Sequence, residues 1–203
     1  MRHSYSGETV AAAYSERAAE YVDVCGTLES VHPDDRALIS AWARTLTGPV
    51  VDAGCGPGHW TRLLASLGID VEGVDLSETF VDHARRQSPE TGFRVGDFAS
   101  LGVDDRSLGG VLSWYSTIHH KPDRIAEPLA EFARALRPGG TLLLGFFEWS
   151  ELEPFDHAVV TAYRWPVERL CAVVEAADFD VIETLTRHEP DTRSHGAMVA
   201  RRR

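Results

Sequence analysis

The sequence lacks a long hydrophobic run and a leader-like N-terminus, and both absences narrow the class of protein. The longest apolar run, residues 142–147, is far too short to cross a bilayer. Near the N-terminus, residues 10–13 are too few to form the hydrophobic region of a signal peptide. We therefore expect a cytoplasmic protein with no membrane partner.

Paired cysteines and an excess of basic residues are also missing. Cys25, Cys55 and Cys171 form no CxxC pair, which disfavours a zinc knuckle or a redox dithiol and favours free thiols in a reducing compartment. The formal net charge of -11 repels phosphate groups and therefore disfavours a nucleic-acid partner. The basic residues 201–203 are interpreted as a solvated chain end.

Strand-like apolar runs alternate with helical patterns along the 203 residues, and no repeat or linker marks a domain boundary. This alternation predicts one α/β domain with a mostly parallel sheet. The candidate strands cover residues 49–53, 70–75, 93–97, 111–115, 141–147, 180–187 and 197–201. No helical pattern separates the last two strands, so we expect them to form an antiparallel hairpin. Two helices, residues 9–24 and 33–46, are expected to precede the first strand.

Capping and turn residues predict where several helices begin and end. Ser77 is suited to the N-cap of one helix, and Pro166 to the start of the last. Asp123 is expected to cap another helix, which Pro128 should kink or delay. The Pro-Gly-Gly sequence at 138–140 should then end that helix.

A glycine-rich turn follows the first strand and points to a nucleotide cofactor. It reads Asp52-Ala53-Gly54-Cys55-Gly56-Pro57-Gly58. Glycines allow a backbone to approach a ligand closely, and ligands bind beyond the carboxyl ends of parallel strands. The dinucleotide fingerprint GxGxxG requires glycine at the position of His59, and Asp52 would repel a pyrophosphate. Both features favour S-adenosylmethionine (SAM), whose amino-acid end carries positive charge, over NAD.

Acidic residues end the next two candidate strands. Asp75, followed by Leu76 and Ser77, can accept hydrogen bonds from both ribose hydroxyls. Asp97 can accept from an adenine amino group, and Phe98 can pack against the adenine ring. The alternative is that these acids only cap helices or turns. Their regular succession after the glycine turn favours the cofactor interpretation.

Together these motifs resemble those of the class I SAM-dependent methyltransferases, in the branch that acts on small molecules. Residues 50–58 resemble the first family motif, 96–98 the adenine-edge motif, and 136–140 the turn before the fifth strand. The resemblance implies a three-layer Rossmann-like sandwich with a seven-stranded sheet in the order 3-2-1-4-5-7-6, strand 7 being antiparallel. It also implies covering helices within residues 1–47 of a single domain spanning 1–203.

The resemblance further implies which residues bind the cofactor. Tyr14 and Tyr21 would contact the SAM carboxylate or sulfonium from a covering helix, although both could instead pack on the core. Trp114 and Tyr115 would line the cofactor pocket. The full predicted cofactor set is Tyr14, Tyr21, Asp52, Ala53, Gly54, Cys55, Gly56, Gly58, Asp75, Leu76, Ser77, Asp97, Phe98, Trp114 and Tyr115.

Residues for the methyl acceptor follow the fourth and fifth strands. His119 or His120 is a candidate base, with a structural or gating role as the alternative. The pair lacks a neighbouring carboxylate motif, so no metal site is predicted. Residues 148–165 are expected to form a substrate lid. Arg164, Arg193 and His195 could bind an anionic acceptor, or the arginines could be solvated surface charges.

The predicted activity is methyl transfer from SAM to a small molecule, with S-adenosylhomocysteine (SAH) as product. An alternative is a non-catalytic SAM-binding sensor or partner subunit. A nicotinamide-dependent oxidoreductase is disfavoured by His59. The acceptor and the oligomeric state are left open by the sequence.

Overall fold

A computed structural model describes Tyr14 and residues 27–157, 159–190 and 192–203. These ranges contain nine strands and five helices. The strands are β1 (Val50–Ala53), β2 (Val71–Asp75), β3 (Gly92–Val95), β4 (Leu108–Trp114), β5 (Leu136–Glu148), β6 (Glu153–Phe155), β7 (Ala162–Trp165), β8 (Phe179–Arg187) and β9 (His195–Arg202). The helices are α1 (Pro33–Ala43), α2 (His59–Ser66), α3 (Glu78–Gln87), α4 (Ala126–Ala135) and α5 (Val167–Ala176). The helix predicted for residues 9–24 lies outside the described residues.

Seven strands form the main sheet, in the order β3-β2-β1-β4-β5-β9-β8. The pairs from β3 to β5 are parallel, whereas β9 is antiparallel to both β5 and β8. When β8 and β9 are counted as the sixth and seventh principal strands, this is the predicted order 3-2-1-4-5-7-6. The α/β fold and the terminal hairpin are therefore confirmed.

A short hairpin of β6 and β7 extends the end of β5 and was not predicted. Its strands pair antiparallel, and β7 runs parallel to β5 through the pairs Phe147–Arg164 and Glu148–Trp165. Strands of three and four residues are too short to show a clear alternation of apolar and polar residues. The hairpin lies within the segment 148–165.

Two of the predicted helix boundaries are wrong. Helix α4 begins at Ala126 after the N-cap residue Ile125, so Asp123 is not its cap. The start is delayed, which is one of the two effects predicted for Pro128, and Pro128 falls in the first turn. There the missing proline N–H costs no helical hydrogen bond. The Pro-Gly-Gly sequence does not end α4, because β5 already begins at Leu136. By contrast, the predicted N-cap is present: the Ser77 hydroxyl accepts from the Phe80 amide at 3.4 Å.

Apolar clusters cover both faces of the sheet. Leu142 packs with Phe132 of α4 and Leu170 of α5, whereas Leu143 packs with Ile39 of α1 on the other face. Neighbouring residues of one strand point to opposite faces, so β5 contributes to both clusters. The sheet is thus the middle of three layers. Within the described ranges, no helix has both the length and the apolar character needed to cross a bilayer.

Candidate cofactor and acceptor site

The glycine turn after β1 leaves one stretch of backbone open. Gly54, Gly56 and Gly58 all have positive φ, at 79°, 52° and 81°. An added Cβ at Gly54 would lie 2.2 Å from Cβ of Ser116, and one at Gly58 would lie 2.7 Å from the Phe93 ring. An added Cβ at Gly56 would meet no atom within 4 Å. Protein atoms therefore close the turn at two glycines, and a ligand can approach its backbone at Gly56.

Asp75 connects the end of β2 to this turn. One carboxylate oxygen accepts from the Gly56 amide at 2.8 Å, and the other accepts from the Ser77 amide at 2.8 Å. Burial raises the pKa of Asp75, while these backbone donors act in the opposite direction. Each oxygen keeps a further lone pair, so the carboxylate can still accept from ribose hydroxyls. Its position beside the open glycine suits the predicted ribose contact.

Asp52 lies inside the protein behind the glycine turn. Only 1% of the residue is exposed, and its Oδ2 accepts from the Thr61 hydroxyl at 2.6 Å. Burial raises the pKa of Asp52 to about 7, with Thr61 opposing this and the charge of Asp75 adding to it. The contact joins β1 to the first turn of α2. The predicted interaction with the amino-acid end of SAM stays a prediction.

Asp97 and Phe98 differ in solvent exposure although they are adjacent in sequence. Asp97 is exposed, and its Oδ1 accepts from the Ala99 amide at 2.8 Å. Phe98 is 7% exposed and packs against Phe132 and His120, with ring centroids 6.4 and 5.4 Å apart. Only a small part of the Phe98 ring is therefore accessible to an adenine, whereas the Asp97 carboxylate is accessible.

Trp114, the last residue of β4, and Tyr115, the first residue after it, contact each other but have different further partners. Trp114 packs against Trp60 with ring centroids 6.1 Å apart. Tyr115 has a φ of 56°, unusual for a residue other than glycine, and its hydroxyl lies 2.5 Å from Nδ1 of His195. Burial raises the pKa of Tyr115, so its phenol is neutral at physiological pH. Tyr115 thus joins the residues predicted for the acceptor.

His119 forms hydrogen bonds through both ring nitrogens. Nδ1 lies 2.9 Å from the Thr161 carbonyl oxygen, and Nε2 lies 2.9 Å from the Tyr14 hydroxyl. Because a carbonyl oxygen only accepts, Nδ1 carries the proton of the neutral ring and Nε2 accepts from Tyr14. The residue is 5% exposed, and burial lowers its pKa. Tyr21, the second predicted tyrosine, lies outside the described residues.

His120 occupies a different environment from His119. It packs against Phe98, and no hydrogen-bond partner for its buried Nδ1 is found among the residues that the structure describes. Burial lowers its pKa, and the nearby charges of Asp97 and Glu127 oppose that change. The two adjacent histidines therefore cannot be treated as equivalent candidates for a base.

The three basic residues predicted for the acceptor surround two packed phenylalanines. Phe147 and Phe155 have ring centroids 5.2 Å apart, and the His195 ring lies 5.9 Å from Phe147. The Arg193 guanidinium lies 5.2 Å from the Phe155 ring and 5.8 Å from the Phe147 ring. Arg164 lies 5.9 Å from Phe155 on the same cluster. The structure thus brings together residues that are distant in sequence.

These cations differ in how far their charge is neutralised. Arg164 pairs with Glu153 at 2.5 Å and lies 4.2 Å from the Trp149 ring. Arg193 is exposed, and no ion pair within the described ranges includes it. Arg193 is therefore the better candidate for binding an external anion.

Sequence reasoning missed several residues that support the site. Thr61 holds Asp52, and Thr161 holds His119. Arg187 and Asp35 form an ion pair at 2.5 Å that ties the start of α1 to the end of β8. A threonine or an arginine in a helix or strand carries no distinctive signal by itself. Only the tertiary structure reveals these partners.

Comparison with known proteins identifies the family. Residues 50–140 match the model of the methyltransferase domain family. A probable SAM-dependent methyltransferase of Mycolicibacterium smegmatis is 33% identical over 67% of this chain and 53% of its own length. The malonyl acyl-carrier-protein O-methyltransferase of Yersinia pestis is 30% identical over 74% of this chain and 55% of its own. The chain thus spans about half the length of these curated relatives.

Solved structures agree with this assignment at the level of the fold. A 1,6-didemethyltoxoflavin-N1-methyltransferase of Burkholderia thailandensis, solved with 1,6-didemethyltoxoflavin and SAH, superposes with a TM-score of 0.77 at 21% identity. The superposition covers 97% of this chain and 90% of that one. The chain belongs to the class I SAM-dependent methyltransferases, and the predicted cofactor, SAM, is confirmed as that of its family.

Proposed function

We propose that this protein transfers a methyl group from SAM to a small anionic molecule bound beside Phe147 and Phe155, and releases SAH. The exposed guanidinium of Arg193 supports this proposal most directly, because it lies over both rings and forms none of the ion pairs among the described residues. An anion that approaches these rings would gain a charged hydrogen-bond donor. Its planar part could stack on the phenylalanines.

The similar proteins name different acceptors, and only some of these are small molecules. The Burkholderia thailandensis enzyme was solved with the heterocycle 1,6-didemethyltoxoflavin, and the Yersinia pestis protein is named for a malonyl group on a carrier protein. Acceptors therefore vary between proteins that share this fold. The acceptor class proposed for this chain rests on its own residues.

One group of residues in the proposed site would bind the cofactor, and another would bind the acceptor. When bound, SAM supplies an activated methyl group, so the protein mainly orients the acceptor and excludes water. The open backbone at Gly56 and the Asp75 carboxylate would hold the nucleoside part. We further propose that residues 148–165, which contain the β6–β7 hairpin, form the lid over the acceptor. Arg193 and His195 would orient the acceptor beneath it.

The acceptor proposal can be tested with matched pairs of small molecules. Purified protein is incubated with SAM and a panel of carboxylates, phenolates and their neutral amide or ester analogues, and SAH is quantified. We expect SAH to form with anionic members, and Arg193→Ala to raise KM for them about tenfold, which corresponds to about 1.4 kcal/mol. Arg169→Ala, which removes an exposed arginine of α5, provides the control. Equal KM values for Arg193→Ala and Arg169→Ala would contradict the anion site.

A non-catalytic SAM-binding sensor or partner subunit is the second candidate. It is favoured by one observation, that both nitrogens of His119 are engaged by protein groups, which leaves it no free lone pair as a base. The fold alone does not imply methyl transfer, since a protein solved as the 4+2 cyclase SpnF superposes with a TM-score of 0.81 at 16% identity. Tight SAH binding without SAH production across the whole panel would favour this candidate.

A further inference from the structure

The side chain of His119 joins two parts of the chain that belong to opposite ends of the site. Its Nε2 accepts from the hydroxyl of Tyr14, in the N-terminal region, at 2.9 Å. Its Nδ1 donates to the carbonyl of Thr161, immediately before β7, at 2.9 Å. One imidazole ring therefore bridges the N-terminal region and the β6–β7 hairpin.

Two further contacts show that each end of this bridge is attached to its own part of the site. The Tyr14 ring packs against Phe80 in the first turn of α3, with centroids 5.9 Å apart, and α3 follows β2, which ends at Asp75. On the other side, the Tyr163 amide in β7 donates to the carbonyl of Ile118 at 2.8 Å. The hairpin is thus fastened to the β4 loop at the residue before His119.

The bonding pattern also restricts what His119 can do. In the neutral ring, Nδ1 holds the proton and Nε2 offers the only lone pair, which Tyr14 already uses. The residue is 5% exposed, so an acceptor molecule reaches neither nitrogen without displacing a protein partner. This arrangement fits a connecting role better than proton transfer.

We infer that His119 is a positioning residue that couples the cofactor end of the site to the lid, so that an occupied cofactor site orders the β6–β7 hairpin over the acceptor. A ligand that fixes Tyr14 strengthens the Tyr14–His119–Thr161 chain and thereby reduces opening of the hairpin. This inference rests on the proposed roles of Tyr14 at the cofactor and of residues 148–165 as the lid. It depends on no particular acceptor.

Amide hydrogen exchange, measured with and without saturating SAH, tests the coupling directly. In the wild type, we expect SAH to slow exchange of the β7 amides, that of Tyr163 in particular, about fivefold or more. Tyr14→Phe removes only the hydroxyl that donates to His119. Because Tyr14 is itself proposed to contact the cofactor, the SAH affinity of this variant is measured first by calorimetry. Exchange is then compared at an SAH concentration that saturates it, and there the slowing of β7 should disappear.

Two substitutions at His119 test the two hydrogen bonds of the Tyr14–His119–Thr161 chain separately. Asparagine places an amide near the Nδ1 position and keeps the Thr161 contact, whereas glutamine reaches the Nε2 position and keeps the Tyr14 contact. Both His119→Asn and His119→Gln should lose the effect of SAH on β7, because either break interrupts the chain. Ser107→Ala, which removes a hydroxyl that donates to the Asp104 carbonyl before β4, should retain it.

Several results would overturn the inference. One is slowing of β7 by SAH in Tyr14→Phe that equals the wild-type effect. Another is a uniform acceleration of exchange over all strands in the His119 variants with the SAH effect preserved, which would mark a merely structural histidine. If the protein failed to bind SAH, the proposed activity would be wrong. Exchange in the ligand-free proteins would then test separately whether Tyr14 and His119 hold the β6–β7 hairpin. Tyr14→Phe should then accelerate β7 exchange selectively, and unchanged β7 rates would disprove the link.

Discussion

Asp52 and Thr61 form a buried hydrogen bond of 2.6 Å between the end of β1 and the first turn of α2. Both side chains are almost fully removed from solvent, at 1% and 0% exposure. The carboxylate that the sequence suggested for the cofactor therefore also holds the glycine turn against its helix. Its burial has consequences for stability that can be measured.

Replacing Asp52 by asparagine should alter the pH dependence of folding. The pKa of Asp52 is raised from 3.8 to about 7 in the folded state, so the folded protein binds more protons than the unfolded chain between these values. Stability therefore falls as the pH rises through this window and levels off above it. Relative to Asp52→Asn, the wild type should lose up to about 4 kcal/mol between pH 4 and pH 8.

Urea unfolding of both proteins across this pH range measures that difference. Asp97→Asn, which makes the same substitution at an exposed aspartate, is the matched control. Parallel stability curves for Asp52→Asn and the wild type would show that Asp52 does not titrate as described.

Replacing Thr61 by valine should destabilise the protein without changing the size of the side chain. The Asp52 carboxylate would lose its hydroxyl donor while remaining buried, which costs about 1–3 kcal/mol. Thr61→Ser keeps the donor and should recover most of that loss in thermal or urea unfolding. A serine variant as unstable as the valine variant would attribute the effect to packing of the methyl group.

Alanine at Gly56 should weaken cofactor binding more than it weakens the fold. Gly56 has a φ of 52° and open space where a Cβ would stand, so alanine adds strain of about 1 kcal/mol and a methyl group in the proposed ligand path. Calorimetry with SAH should show at least a tenfold loss of affinity. Gly68→Ala, at a φ of 82° with equally open surroundings away from the turn, controls for strain alone. Equal SAH affinities in the two variants would place the ligand elsewhere.

Replacing Asp75 by alanine should reduce SAH affinity through loss of a charged acceptor. The expected loss is about 1.5–3 kcal/mol. The Gly56 and Ser77 amides lose their partner in the same variant, so circular dichroism must show that the fold is retained. Calorimetry with NAD provides the comparison ligand. Wild-type binding of NAD without binding of SAM or SAH would refute the cofactor assignment.

The glycine turn of the proposed cofactor site could be predicted because its signals are local. A glycine turn at positions 54–58 needs backbone conformations that other residues rarely adopt, and the structure shows positive φ at all three glycines. Acids such as Asp75 end strands whose apolar runs are visible in the sequence, and parallel strands bring those ends to one edge of the sheet. Helix boundaries were less certain, since Asp123 resembles a cap that Ile125 in fact replaces.

The sequence by itself determined the family and, through that resemblance, the order of the main strands and the cofactor SAM, because the motifs that carry the resemblance are short and local. The tertiary structure alone decided that Thr161 orders His119, that Tyr115 meets His195, and that Glu153 neutralises Arg164 while Arg193 stays exposed. These pairs join segments whose spacing in the chain is arbitrary. Partners of that kind are selected by how the strands and loops pack together.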